Sequence, residues 1–279
     1  MRVRIWGCRG SVATPGPTTV RCGGNTSCIE ISLDDGSVFV LDAGTGIREL
    51  GLELVERQVR HVHLLLTHLH LDHLEGLRFF APLFDARATI DLWGPRSPVL
   101  GLEERIRRSF SPPLFPIDLH DTPAKVEFHD VPNVPWTIGA AQLRASLVVH
   151  PGPTVGYRFD ADGASVAYLP DHEPALAGRF DDRGRDWISG GSIAEGVDLL
   201  LHDAQYFDEE YDDKLGWGHT SVSGAVEYAA AVGARRLVLF HHDPTHSDAV
   251  LEQLEEQARS IGSKQGPPVL AREGMVLEL

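Results

Sequence analysis

Basic charge is scarce in this chain, and so are cysteines and long apolar runs. Lys and Arg number 25 against 40 Asp and Glu, a formal net charge of −15. Binders of nucleic acid or anionic membrane carry basic patches, so broad electrostatic attraction to either is disfavoured and an anionic substrate must be drawn locally. Cys8, Cys22 and Cys28 are an odd count with no C-x-x-C pair, which implies neither a disulfide framework nor a zinc knuckle. Three reduced thiols are expected, the rival reading being Cys8 as an accessory ligand or substrate contact. No apolar run approaches the ~20 residues of a membrane span. The start, Met1-Arg2-Val3-Arg4-Ile5-Trp6-Gly7, enters a strand-like pattern rather than a charged region followed by an apolar signal core, so a cytoplasmic protein is expected. No repeat or low-complexity tract occurs. With 42% hydrophobic and 23% charged residues among 279, the composition is that of a globular protein, and the length suits one domain spanning 1–279.

What is present is concentrated in Thr67-His68-Leu69-His70-Leu71-Asp72-His73, directly after the apolar run Val62 to Leu66. Imidazole and carboxylate are the ligands a divalent transition metal such as zinc prefers. In an extended segment His68 and His70 project to one side, whereas Asp72 and His73 enter the next turn facing a different point. Two ligand pairs suggest two neighbouring metals. The bland alternative is a polar loop with coincidental histidines.

His-x-His-x-Asp-His after an apolar strand resembles the signature of the metallo-β-lactamase superfamily. The resemblance implies an α/β fold, a four-layer αβ/βα sandwich in a single domain, with a one- or two-metal hydrolase site along one edge. Later positions continue the likeness. His150, with Gly156-Tyr157-Arg158 after it, is similar to the third-histidine region. Asp171 stands where relatives place a carboxylate bridging two metals, although the chain reads Pro-Asp-His there in place of Gly-Asp-Thr. His219-Thr220-Ser221 resembles the His-Ser-Thr element of the transfer-RNA-processing phosphodiesterase branch with Ser and Thr exchanged. His241, in His241-His242-Asp243-Pro244, occupies the last-ligand position, with His242 as the alternative one residue on. The implied ligand sets are His68, His70 and His150 on one metal and Asp72, His73 and His241 on the other, with Asp171 between. Asp72 and His219 are the implied catalytic residues, His219 over the metals as proton donor. Asp42 is implied to orient a metal-bound His, its local reading being a helix N-cap.

Around these positions the chain reads as strands Val3 to Trp6, Cys28 to Leu33 and Ser37 to Leu41, with Asp34-Asp35-Gly36 as a hairpin turn. A helix is expected from Asp42-Ala43-Gly44-Thr45-Gly46 to about Gln58 and another over Leu74 to Phe80, stopping short of Pro82. Ala88 to Trp93 reads as a strand and Val99 to Phe110 as a helix whose Arg105, Arg107 and Arg108 form a solvated face. Strands follow at Lys125 to Phe128, Ala141 to Val149, Val155 to Phe159 and Ala164 to Leu169. Glu173 to Gly196, with Trp187, reads as a surface helix and loops. Val197 to Leu201 and Arg236 to Phe240 are core strands, and Ser221 suits the N-cap of a helix over Val222 to Ala231. Asp248 to Ile261 is an amphipathic helix, and Val269 to Glu278 a terminal hairpin. His61 and His63 read as surface or structural histidines, and His246 as exposed.

Two metals a few Å apart lower the pKa of water and clamp both oxygens of a displacement at phosphorus. The expected activity is therefore metal-dependent hydrolysis of a phosphodiester. The stretch between His150 and Asp171 is too short for a transfer-RNA-gripping arm, and the surface is acidic. A small or cyclic nucleotide-type substrate follows, with no membrane partner, no stable nucleic-acid complex and a symmetric homodimer as the default assembly. Arg9 and the loop Gly23 to Cys28 are candidate phosphate contacts. Zinc suits the ligands, with Mn²⁺ and Fe²⁺ as alternatives. Lactam or thioester hydrolysis and a non-catalytic metal sensor are the competing functions.

Overall fold

The computed structural model describes residues 1–174, 188–261 and 266–279. Among them fourteen strands form two seven-stranded sheets. In chain order they are β1 (Arg2–Gly7), β2 (Cys28–Ser32), β3 (Val38–Leu41), β4 (His61–Leu65), β5 (Thr89–Gly94), β6 (Lys125–Asp130), β7 (Trp136–Ile138), β8 (Ala141–Leu147), β9 (Val155–Ala161), β10 (Ala164–Leu169), β11 (Leu199–Asp203), β12 (Leu237–Phe240), β13 (Val269–Leu270) and β14 (Val276–Glu278). The first sheet runs β14-β1-β2-β3-β4-β5-β6 and the second β13-β12-β11-β10-β9-β8-β7.

Period-two alternation decides which face each side chain serves. Ile29, Ile31, Phe39, Leu41 and Leu65 point between the sheets, where they meet Tyr157, Phe159, Val166, Leu199, Leu201 and Phe240. Their neighbours Val38, Val40, Val62, Leu64, Ile90 and Leu92 face outward, beneath Ile47, Leu50 and Leu54 of α1 (Ile47–Glu56) and Leu102 and Ile106 of α2 (Leu102–Arg107). On the far side Ala167, Leu169, Leu200 and Leu239 are covered by α3 (Gly191–Ala194), α5 (Val222–Val232) and α6 (Asp248–Ile261). The short α4 (Asp208–Tyr211) lies before the α5 N-terminus. The result is the four-layer αβ/βα sandwich expected. Among the described residues no helix is long and apolar enough to cross a membrane.

Three local expectations are corrected. Leu74 to Phe80 is not an α-helix but belongs to a run of 3₁₀ turns at Leu71–His73, Glu75–Phe79 and Ala81–Phe84. The Gly76 N–H donates to Ala43 O, and Ala43 N–H to His73 O, so bonds an α-helix would make internally go across to the loop after β3. Val269 to Glu278 is not a hairpin, because β13 pairs with β12 in one sheet and β14 with β1 in the other. β7 was not anticipated; its three residues carry too short a pattern. The expected surface helix from Glu173 falls largely outside the described residues, as does Trp187.

Candidate metal centre

One edge of the sandwich collects strand ends from both sheets. β3 leads to Asp42, β4 to the Thr67–His73 stretch, β10 to Asp171, β11 to Asp203 and β12 to His241, while the β8–β9 connection supplies His150. The sheets are tied together there by Val155 N–H donating to Thr67 O at 2.9 Å and by the Tyr157 hydroxyl donating to Leu66 O at 2.7 Å.

Asp171, almost wholly buried, lies at the middle of the gathering. Its Oδ1 is 2.9 Å from His73 Nε2 and 3.3 Å from His241 Nε2. Its Oδ2 is 3.7 Å from His68 Nε2 and 3.6 Å from His150 Nε2. His70 turns Nδ1 inward, 3.2 Å from His150 Nε2, and Asp72 Oδ2 is 3.2 Å from His241 Nε2 and 3.4 Å from His73 Nε2. All seven side chains expected at the metals thus converge. They form one group of His68, His70, His150 and Asp171 and another of Asp72, His73, Asp171 and His241, each with its donor atoms within 4.8 Å of one another.

The opposite nitrogen of four of these rings is held by the protein, which selects the atom turned to the centre. Asp42 Oδ2 lies 2.8 Å from His73 Nδ1, Gln205 Oε1 2.9 Å from His241 Nδ1, Gly218 O 2.9 Å from His150 Nδ1 and Thr67 Oγ1 3.1 Å from His68 Nδ1. Asp42 in turn accepts from Thr67 N–H, the Thr67 hydroxyl and the Tyr168 hydroxyl. That places Asp42 on a candidate ligand rather than on a helix end, since α1 begins at Ile47 and its N-cap residue is Gly46, with no side-chain cap.

Burial pushes the His68 imidazole well below its ordinary range, and His73 adds to the effect, so the ring is neutral at neutral pH, with Nε2 the nitrogen turned to the centre. His68 Nε2 is buried and has no hydrogen-bond partner. Burial alone would lower His73 as well, but Asp171, Asp72 and Asp42 hold it well above its usual range. Burial would raise Asp171, yet His241, His73 and His68 keep it well below the carboxylate range. Two buried carboxylates, Asp72 and Asp171, therefore demand positive charge at their centre, and the unpartnered Nε2 of His68 faces the same point. The residues fit divalent metal ions.

His219 lies against both groups, its ring stacked on His241 at 4.8 Å and edge-on to His150 at 5.1 Å. Its Nδ1 is 2.6 Å from Asp203 Oδ2. Burial opposes protonation, but the Asp203 carboxylate overrides it and raises the imidazole to about 9. Ser221 accepts from Gly224 N–H at the start of α5, as its N-cap reading requires. The preceding loop is anchored by buried Glu173, which accepts from Gly216 N–H, Gly218 N–H and the Tyr211 hydroxyl. Two glycines let backbone touch imidazole: a Cβ would lie 2.4 Å from His241 at Gly10 and 2.4 Å from His150 at Gly218, where φ is +90°.

Residues 38–242 match the family described as the Beta-lactamase superfamily domain. This chain belongs to the beta-lactamase superfamily. Among curated relatives, a Ribonuclease Z of Porphyromonas gingivalis is 26% identical, the match covering 99% of this chain and 98% of that protein. Among solved structures, a diphosphatase of the PhnP family superposes with a TM-score of 0.71 at 19% identity, covering 100% of this chain and 97% of that one. The short form of human tRNase Z gives a TM-score of 0.67 at 21% identity, over 100% and 99%. These structures share the fold of this superfamily member, a fold that implies divalent-metal binding.

Within this beta-lactamase-superfamily edge, several expectations change. Arg9 is not a phosphate contact: it is fully buried and donates to Gly23 O, Asp243 O and His246 O, tying the N-terminal loop to the one after β12. Asn25 of the Gly23 to Cys28 loop is likewise engaged, by Glu273. Cys8 turns away from the site, its Sγ near Cys22 O and Ala271 O. His246 is buried rather than exposed, against Glu210 and Phe207. The last-ligand position does not change: His241 faces Asp171, its backbone left-handed (φ 60°), while His242 Nε2 bonds Ala271 O. His172 leaves the site to meet His202 and Tyr228. Asp203, Gln205 and Glu173 were not anticipated. The only sequence signal was that His202-Asp203 ends a buried strand.

Proposed function

We propose that this chain hydrolyses phosphodiesters with two divalent ions, zinc being the ion its donors suit best, and acts on a small or cyclic nucleotide-type substrate. His68, His70 and His150 would hold one ion and Asp72, His73 and His241 the other, with Asp171 shared. Bound there, the ions would supply an activated water and neutralise charge on the phosphoryl oxygens. The observation that carries the reading is His219. Its Nδ1 is committed to Asp203 at 2.6 Å, which leaves Nε2 to present a proton beside both ligand groups. As water oxygen bonds to phosphorus and releases its proton to solvent, the bond from phosphorus to the leaving oxygen breaks, and the leaving oxygen takes the Nε2 proton. Such a transfer contributes about 10²–10⁴-fold. Asp203 keeps the ring charged and oriented, and Glu173 holds the Gly216–Gly218 backbone from which His219 projects.

The names of the relatives, a Ribonuclease Z and a diphosphatase, favour phosphorus over a lactam or thioester carbonyl as the centre attacked. A small substrate is favoured by the net charge of −15 and by the stretch from His150 to Asp171, which β9, β10 and their turn occupy. Half-exposed Trp217, two residues before His219, offers an aromatic face for a base. The test is turnover of bis(p-nitrophenyl) phosphate by metal-analysed protein beside His68→Ala, followed by cyclic nucleotides and short RNAs, with a β-lactam and a thioester for comparison. Metal-dependent diester turnover that vanishes in the variant is expected. Bound metal without turnover would mark a metal-holding module, and faster lactam or thioester cleavage would move the assignment.

A further inference from the structure

A second gathering of imidazoles sits on the inner face of the first sheet. His61 and His63 alternate with Val62 and Leu64 on β4, and so project to the same side as Leu65. In the parallel register His63 pairs with Asp91 of β5, and Asp91 with Glu127 of β6, two residues before His129. Neighbouring strands about 4.8 Å apart and same-face residues about 6.6 Å apart bring these side chains into one patch. His61 Nε2 lies 2.7 Å and His63 Nδ1 3.1 Å from Asp91 Oδ2, while His129 Nε2 lies 3.1 Å from Asp91 Oδ1. Five residues of extended chain, roughly 16 Å, separate His63 from His68.

We propose that His61 Nε2, His63 Nδ1 and Asp91 Oδ2 bind a divalent transition ion of the zinc class, with His129 fixing the carboxylate through Oδ1. One donor atom from each of the three residues lies within 4.8 Å of the others. A tetrahedron of ~2.1 Å metal–ligand bonds has edges of about 3.4 Å, so small outward shifts of the imidazoles accommodate an ion. A purely structural cluster should satisfy all its polar atoms. Here His63 Nδ1 is buried and makes no hydrogen bond despite the nearby carboxylate. The rings are already oriented, His63 by stacking on Phe39 at 5.2 Å and His129 by stacking on Trp93 at 4.3 Å. Burial lowers the His63 imidazole, followed by the effect of His61 and against the pull of Asp91, so the ring is neutral at neutral pH and has one nitrogen to offer a metal. The His61 side chain, 57% exposed, gives the ion a route from solvent and leaves a position for water.

The site is separate from the edge cluster and stands independently of the proposed hydrolysis. Protein saturated with Zn²⁺ and desalted is dialysed to equilibrium against Zn²⁺ or Co²⁺, and bound metal per chain is counted for wild type, His61→Ala and Asp91→Asn. His61 is exposed, so its loss leaves folding intact. Both variants should hold one ion per chain fewer than wild type, with at least a tenfold weaker affinity for that last ion and unchanged cleavage of bis(p-nitrophenyl) phosphate. In Co²⁺-loaded wild type, a visible absorption component absent from His61→Ala should report the nitrogen-ligated ion. Equal metal content in wild type and both variants, with identical Co²⁺ spectra, overturns the proposal.

Discussion

The two histidine clusters, one at the edge between the sheets and one on the face of the first sheet, are made of the same parts and arranged by different rules. At the edge, Asp171 is reached by imidazoles from loops beyond strands of both sheets, and four of those rings are held from behind by Asp42, Gln205, Gly218 O and Thr67. On the face, Asp91 is reached by imidazoles from neighbouring strands of one sheet, and His61 and His129 spend their nitrogens on Asp91 itself. The first arrangement leaves donor atoms turned to a common point in a buried space, with the orienting groups outside it. The second half satisfies itself and remains open to solvent. Orientation from behind fixes the direction of a ligand, and among the described residues it is present at the edge cluster and absent from the face cluster.

Removing the shared carboxylate tests this difference most sharply. Asp171→Ala should abolish turnover, by more than the about 10–100-fold that losing an outer partner costs, and should release metal from both edge groups. Asp91→Asn should leave turnover within about twofold, as expected of a change away from the machinery. Metal analysis and initial rates on the same preparations decide it. Comparable losses in the two variants would break the distinction.

Next in size is His219. His219→Ala should lower kcat by about 10²–10⁴-fold with metal content unchanged. Asp203→Asn gives the signed version. Asp203 raises His219 to about 9, so the protonated, active form is present below that pH and lost above it. Without the carboxylate the imidazole falls, and the alkaline limb of the rate profile should move to lower pH. A limb that stays in place would remove His219 from the role of acid.

How much of this was legible in the chain depends on how local each cause is. His68 to His73 follow an apolar strand within six residues, so spacing alone exposes them. His150, Asp171 and His241 are far apart in the chain and were legible because each closes a strand and matches a family position. The groups that aim them were not. Gln205 is 36 residues from His241, and Glu173 is 43 and 45 residues from the two amides it holds. Nothing in a linear pattern marks such pairs. Arg9 misled for the opposite reason: a cation near the motif invites a phosphate reading, whereas the fold surrounds it with carbonyls. The four-layer fold was likewise legible from alternation plus resemblance, but the split of β13 and β14 between sheets is a long-range pairing that local pattern cannot carry.

A smaller loss should follow from an orienting residue. Gln205→Ala leaves every candidate ligand in place and removes only the acceptor behind His241. Metal affinity or turnover should fall about 10–100-fold, the usual cost of an outer partner. Gln205→Glu, which restores an acceptor, should recover most of it. Equal defects in both would mean that Gln205 acts by packing.

The smallest change belongs to the face cluster. Without added metal, His61→Ala should alter stability by no more than about 0.5 kcal/mol, because the side chain is exposed and its bond to Asp91 is one of two. With Zn²⁺ at 100 times the dissociation constant of the face site, the wild type should gain about 2.7 kcal/mol, since an ion that binds only the folded chain stabilises it by mass action. His61→Ala should not gain it. Thermal unfolding of both proteins, with the edge sites already saturated, reads the difference directly. A gain shared by both would assign the effect to the edge and leave the face cluster as a polar patch that lines β4, β5 and β6.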